Sequence, residues 1–95
     1  MKLTKGAIKC IIKKGDIQTL SGYHFTDKAG RKFFVHKVPR YGSWRVTEPK
    51  TGLKIAAWDT RAEGIKYTSD FLNKKGLRTA QSWKDFISAY TQINQ

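Results

Sequence analysis

The residues with chemical potential in this sequence are cations and rings that alternate along two hairpins. Lys32, Phe34 and His36 stand in one, and Arg45, Thr47, Lys54 and Trp58 in the other. Cations neutralise phosphates and flat rings stack on bases or cover sugars, so the combination points to nucleic acid. Arg40 and Tyr41, in the link between the hairpins, suit a phosphate and a sugar or base; a solvated turn with a packed tyrosine fits that stretch equally well. Lys13 and Lys14 add a nonspecific pull at the end of the first apolar run. The competing reading for the hairpin residues is a sheet covered on both faces, which would bury Phe34 and Trp58 and leave a basic rim.

Catalytic sets are thin by contrast. His24 and His36 fall on the outer face of one hairpin with no carboxylate close in sequence to orient either ring. Asp27, Glu63 and Asp85 have structural roles in a turn and at helix starts, and Ser43, Ser69 and Ser82 lack a nucleophile elbow. There is no phosphate loop or dinucleotide-binding glycine pattern. Asp59, Glu63 and Asp70 are too few carboxylates for a metal-dependent nuclease. Cys10, expected to point inward, and two isolated histidines give no zinc spacing. The expectation is a binding protein and not an enzyme, with no metal, cofactor or small-molecule substrate.

Charge supports this. The chain of 95 residues carries a formal charge of +12, from 19 Lys plus Arg against 7 Asp plus Glu. That is far above the net charge that keeps a small domain soluble, so the partner is expected to be anionic. Residues 1–50 hold 12 basic and 3 acidic side chains, residues 51–95 hold 7 and 4. A lone cysteine fits a reducing cytosol. Lys9, Lys13 and Lys14 interrupt the N-terminal apolar run, so it does not read as a signal peptide, and no segment reaches the ~18 apolar residues of a membrane span. The expected location is the cytoplasm.

These side chains need a frame. Ala7 to Lys13 alternates with Ile8, Cys10 and Ile12 on one side, which predicts a strand; after the Gly15-Asp16 turn signal, Ile17 to Leu20 reads as a short return strand or as an arm only partly paired to the sheet. Asp27-Lys28-Ala29-Gly30 predicts a three-residue loop with Gly30 left-handed, setting Phe25 against Phe33 and Tyr23 against Val35 on an inner face. Pro49-Lys50-Thr51-Gly52 predicts a four-residue hairpin loop closed by Glu48 and Leu53. Continued without interruption, that register pairs Val46 with Ile55 and Trp44 with Ala57, and puts Arg45, Thr47, Lys54, Ala56 and Trp58 on the outer face. Thr60-Arg61-Ala62-Glu63 is a capping box that opens a helix over 60–75, with Lys74-Lys75-Gly76 ending it. Gly64 within it is expected to permit close approach to the sheet. Trp83, Phe86, Ile87 and Tyr90 give an apolar stripe on a second helix over 79–93, starting at Thr79 or at a Ser82/Asp85 box.

The whole is expected to be one α+β domain over 1–95: a basic N-terminal segment or hairpin (1–22), two β-hairpins (23–58) and the two helices. It forms an antiparallel sheet of three to five strands with both C-terminal helices on one face. The inner residues are expected to include Ile8, Ile12, Tyr23, Phe25, Phe33, Val35, Trp44, Val46, Ile55, Ile65, Leu72, Phe86, Ile87 and Tyr90.

The run WRVTEPKTGLKIAAWDTRAEGI resembles segments of small bacteriophage and mobile-element proteins. In outline Tyr23 to Gly76 is similar to the arm-type N-terminal domains of tyrosine integrases, where a three-stranded sheet backed by a helix enters the DNA major groove. The resemblance implies an accessory protein that contacts DNA, in preference to RNA, through a basic and aromatic sheet face, in a bacterial host cytosol. In size and in lacking catalytic motifs the chain is also similar to anti-CRISPR proteins, which implies the alternative of a non-enzymatic inhibitor of a host nucleoprotein complex.

Overall fold

The computed structural model describes residues 2–11, 17–38 and 41–93. Five strands precede two helices: β1 (Thr4–Ile11), β2 (Ile17–Thr26), β3 (Lys32–Val38), β4 (Ser43–Thr47), β5 (Lys54–Trp58), α1 (Arg61–Lys74) and α2 (Ala80–Ile93). The strands form one antiparallel meander in which each pairs with the next. Ile12, Lys13, Lys14, the Gly15-Asp16 turn, Pro39 and Arg40 lie outside the described residues.

Turn chemistry sets the register. In the β2–β3 loop Gly30 takes φ +87°, its amide donates to the Asp27 carbonyl at 3.0 Å, and the Asp27 amide donates to the Arg31 carbonyl at 3.1 Å. Phe25 therefore faces Phe33 and Tyr23 faces Val35, as expected. In the β4–β5 loop the Glu48 amide donates to the Leu53 carbonyl at 2.8 Å and the Glu48 carboxylate accepts from the amides of Lys50 and Thr51 and from the Thr51 hydroxyl. Thr47 then faces Lys54, also as expected.

Beyond that pair the expected register fails. A bulge between Val46 and Thr47 makes Ala56, not Ile55, the partner of Val46, so Arg45 faces Ala57 and Trp44 faces Trp58. One extra residue in a strand reverses the facing of everything after it. Ile55 stays on the core side, and Trp58 moves from the outer face to the helix face.

Both helices pack on that face. α1 lies over β3, β4 and β5. Phe33, Val35 and Val46 are fully buried beneath the helices together with Phe25, Leu72 and Trp83. Each such side chain contributes about 1.5–3 kcal/mol by leaving water. The buried residues of α1 are Gly64, Thr68 and Leu72; Leu72 is inside as expected, and Ile65, also expected inside, is half-buried against the same core. Gly64 allows the approach: a Cβ there would sit 3.3 Å from Val46 and 3.7 Å from Trp58 side-chain atoms. At its start the Thr60 hydroxyl accepts from the Glu63 amide at 3.1 Å and donates to the Glu63 carboxylate at 3.0 Å, so the glutamate meets the cap's hydroxyl and not its amide. Its end closes with the Leu77 amide on the Leu72 carbonyl around a left-handed Gly76.

α2 is capped by Thr79, whose hydroxyl accepts from the Ser82 amide at 2.9 Å; Asp85 instead accepts from Gln81. Trp83 reaches Phe33 with ring centroids 5.8 Å apart, but Phe86, expected inside, is 41 % exposed and stacks on the outside of Trp83.

Candidate nucleic-acid interface

The outer sheet face is not an open platform. Phe34 is fully buried, and His36 and Thr47 are buried beside it. No helix is needed for this, because β2 bends. Its pairing with β3 stops at Tyr23, while Ile17–Gly22 continue to pair with β1 alone. At the bend Gly22 lies against β3 so closely that a Cβ would overlap the Val35 carbonyl oxygen and stand 3.0 Å from His36 Cβ and Phe34 Cζ. The strand arm thus supplies the second cover. Ile8, expected on the inner face, is buried opposite it, paired with Leu20.

His36 is accordingly a structural residue. Burial, the largest cause, pushes its pKa below the ordinary histidine value; the hydrogen bond to the Lys37 carbonyl works against this, and the neighbouring Arg45 charge adds to it. In the neutral ring Nδ1 donates to that carbonyl at 3.4 Å, leaving Nε2 to accept from the Thr47 hydroxyl at 3.2 Å. Arg45, its cross-strand partner, is half-buried, and its Nε has no hydrogen-bond partner among the described residues. Lys32 and Lys54 are exposed, as expected, and so is Tyr41. Trp58 packs edge-on against Phe71 at 6.5 Å in the helix layer. The expected contact set is therefore divided: Phe34 and His36 are covered, Trp58 is on the other face, and Arg40, Lys13 and Lys14 are outside the described residues.

A different set comes together on the helix face, at the end of the sheet where α1 begins. Arg61, the first residue of α1, lies with its guanidinium carbon 4.7 Å from the Tyr23 ring centroid and 5.7 Å from that of Trp44. The two rings come from β2 and β4, and β5 with its Thr60 cap delivers the arginine above them. Lys5 faces Tyr23 across β1–β2, and Lys37 faces Trp44 across β3–β4; both lysines are exposed. Among the described residues Arg61 has no hydrogen bond or ion pair beyond these ring contacts. A guanidinium held over rings is positioned while its N–H groups stay available, and a planar fork can make two parallel bonds to a phosphate.

Sequence reasoning placed Tyr23 and Trp44 in the core and left Arg61 as a helix-start residue. One signal was readable: Lys37 alternates with Val35 and so shares the inner face, where a lysine has to reach an edge.

Asp27 and Glu48 are buried and do not offset this charge at the surface, where Asp59, Asp70 and Asp85 are exposed. Asp27 accepts from the Arg31 amide at 2.9 Å and Nε at 2.7 Å and from the Ser69 hydroxyl at 2.8 Å. Burial alone would raise its pKa, but the hydrogen bonds from Arg31 and Ser69 and the Arg31 charge outweigh it and hold the carboxyl below its ordinary value. Arg31 in turn donates to the Asn73 side chain and the Leu77 carbonyl, tying the loop to the end of α1. At this same end of the strands a groove of about 670 Å³ runs between α2 and the two hairpin loops, edged by Lys32, Lys50 and Lys84, with Glu48 in its wall. Among the described residues no three of His, Cys, Asp and Glu gather as a metal would require, and no helix is long and apolar enough to cross a membrane.

Comparison of the chain with protein-family models, curated proteins and solved structures gave no match.

Proposed function

We propose that this chain is a nucleic-acid-binding accessory protein, a binding and not a catalytic molecule, which grips phosphates around Arg61. The observation that carries the reading is the Arg61 guanidinium over the Tyr23 and Trp44 rings with its N–H groups unpaired among the described residues, flanked by exposed Lys5 and Lys37, in a chain of net charge +12. Lysines alone attract phosphate without orienting it; a pre-stacked arginine fixes the approach. The outline resemblance to arm-type integrase domains favours DNA.

Fluorescence anisotropy with duplex DNA, single-stranded DNA and RNA at two salt concentrations tests it. Binding is expected to weaken steeply with salt, log K falling by about 0.9 per log salt for each phosphate neutralised on a duplex. R61A is expected to lose tenfold or more, and R61K to recover only part because the fork is gone. Undetectable or salt-insensitive binding to all three ligands overturns the reading, and binding only to an assembled nucleoprotein complex replaces it with the inhibitor function.

A further inference from the structure

The two strands of the N-terminal arm have opposite characters on their two sides. Ile8, Leu20 and Gly22 face the covered sheet side, where Phe34 and His36 lie. The other side carries Ala7, Lys9, Thr19, Ser21 and Ile17, all exposed, with Ile17 at 68 %. From Gly22 to Ile17 the pair runs about 20 Å past the last β2–β3 pairing. Beyond Gly22 it is a two-stranded ribbon whose covered side backs on the sheet, and its exposed side is continuous with Lys5 and Tyr23 beneath Arg61.

Three properties of that side select a ligand. Apart from Lys9 and Ile17 its side chains are small, so this exposed side, on strands about 4.8 Å apart, is narrow enough for a groove about 12 Å wide, the major groove of B-form DNA. None of Ala7, Lys9, Ile17, Thr19 and Ser21 is aromatic, so this stretch offers no platform for the unstacked bases of a single strand. Lys9 and Thr19 can reach hydrogen-bonding base edges, and exposed apolar Ala7 and Ile17 match thymine methyl groups. Duplex RNA is excluded by its deep, narrow major groove.

We propose that the β1–β2 ribbon seats in the major groove of duplex DNA with Ala7, Lys9, Thr19 and Ser21 toward the base edges, while Arg61, Lys5 and Lys37 hold phosphates at the groove's flank. The assignment rests on the phosphate-binding reading of Arg61 and adds the form of nucleic acid and the element that reads it.

The test compares duplex DNA, duplex RNA and single strands of equal length and sequence at one salt concentration, with footprinting of guanine N7, a major-groove atom, by methylation. The expected results are at least tenfold tighter binding to duplex DNA and protection of N7. A T19E/S21E double variant that keeps its far-UV circular dichroism should lose the duplex preference, while R61A weakens every ligand alike. Equal affinity for the three forms, unprotected N7, or wild-type duplex affinity in the folded double variant overturns the ribbon. Should the double variant unfold, footprinting with the wild-type protein decides. Binding that is sensitive to R61A yet lacks duplex preference sinks only the ribbon; no binding to any ligand sinks the phosphate grip with it.

Discussion

The two faces of this sheet solve the same problem by different means. Each alternating strand has an apolar set to hide on either side. The helix face hides its set under α1 and Trp83, and is pinned at one end by the buried Asp27–Arg31 pair, 2.7 Å apart and tied to Asn73 and Leu77. The opposite face hides Phe34, His36 and Thr47 under the sheet's own first hairpin, by a bend that only a glycine at position 22 permits. A helix covers broadly and leaves a margin where it starts, and in that margin stand Arg61, Tyr23 and Trp44. A folded-over strand covers tightly and leaves no margin, so rings on its side are lost to a ligand.

The largest effect expected from breaking either side is on the polar pin. Asp27→Ala strands the Arg31 charge at 2 % side-chain exposure and should cost about 3–5 kcal/mol in urea unfolding. The helix-face tryptophans, Trp83 above all, should report the loosening. Gly22→Ala attacks the other side: the new methyl meets backbone, which cannot rotate away, and a loss of about 3 kcal/mol is expected. Its signature is exposure of Phe34 and His36 in hydrogen exchange or NMR, with the tryptophan environment little changed. If Gly22→Ala is neutral, the bend is not what closes the outer face.

Smaller effects separate the faces by function. Arg61→Ala should leave the fold within about 1 kcal/mol of wild type, since a partly exposed cation–π contact is worth about that, while weakening nucleic-acid binding tenfold. Trp58, by contrast, packs in the helix layer, so Trp58→Ala should lower the melting temperature before it informs on binding. The smallest effect is on pH dependence. Because the His36 pKa is depressed in the folded state, the unfolded chain takes up its proton first; stability is complete above about pH 6.5 and declines as pH falls toward the folded value. His36→Gln should flatten that step. Asp27 acts in a lower window: its depressed pKa gives stability above about pH 3.9 that disappears as pH falls through the folded value. A titration with no step near pH 6.5 would contradict the burial of His36.

Much of the fold was legible because its signals are local. Asp27 to Gly30 and Pro49 to Gly52 are turns by their own chemistry, and the pairs they impose, Phe25 with Phe33 and Thr47 with Lys54, are present. Thr60 and Glu63 announced α1 in the same way. The site was less legible. Trp58 was assigned to the outer face by counting forward in twos, and the count is valid only until a bulge, which has no reliable mark in IAAW. Phe34 and His36 were correctly set on the outer side, but facing outward from one sheet face does not mean facing water when another strand returns over it.

Composition and local spacing by themselves determined a strongly cationic chain, a hairpin-rich sheet followed by two capped helices, and the parity of residues on either side of each turn. These follow from interactions among residues a few positions apart. Only the tertiary structure decided which rings stay near solvent and which cation stands over them. Tyr23, Trp44 and Arg61 are brought together by three separate elements, and Gly22 and Phe34 meet only because β2 leaves β3. Such meetings depend on the bulge in β5, the bend in β2 and the seating of α1 at Gly64, each fixed by packing between segments distant in the chain.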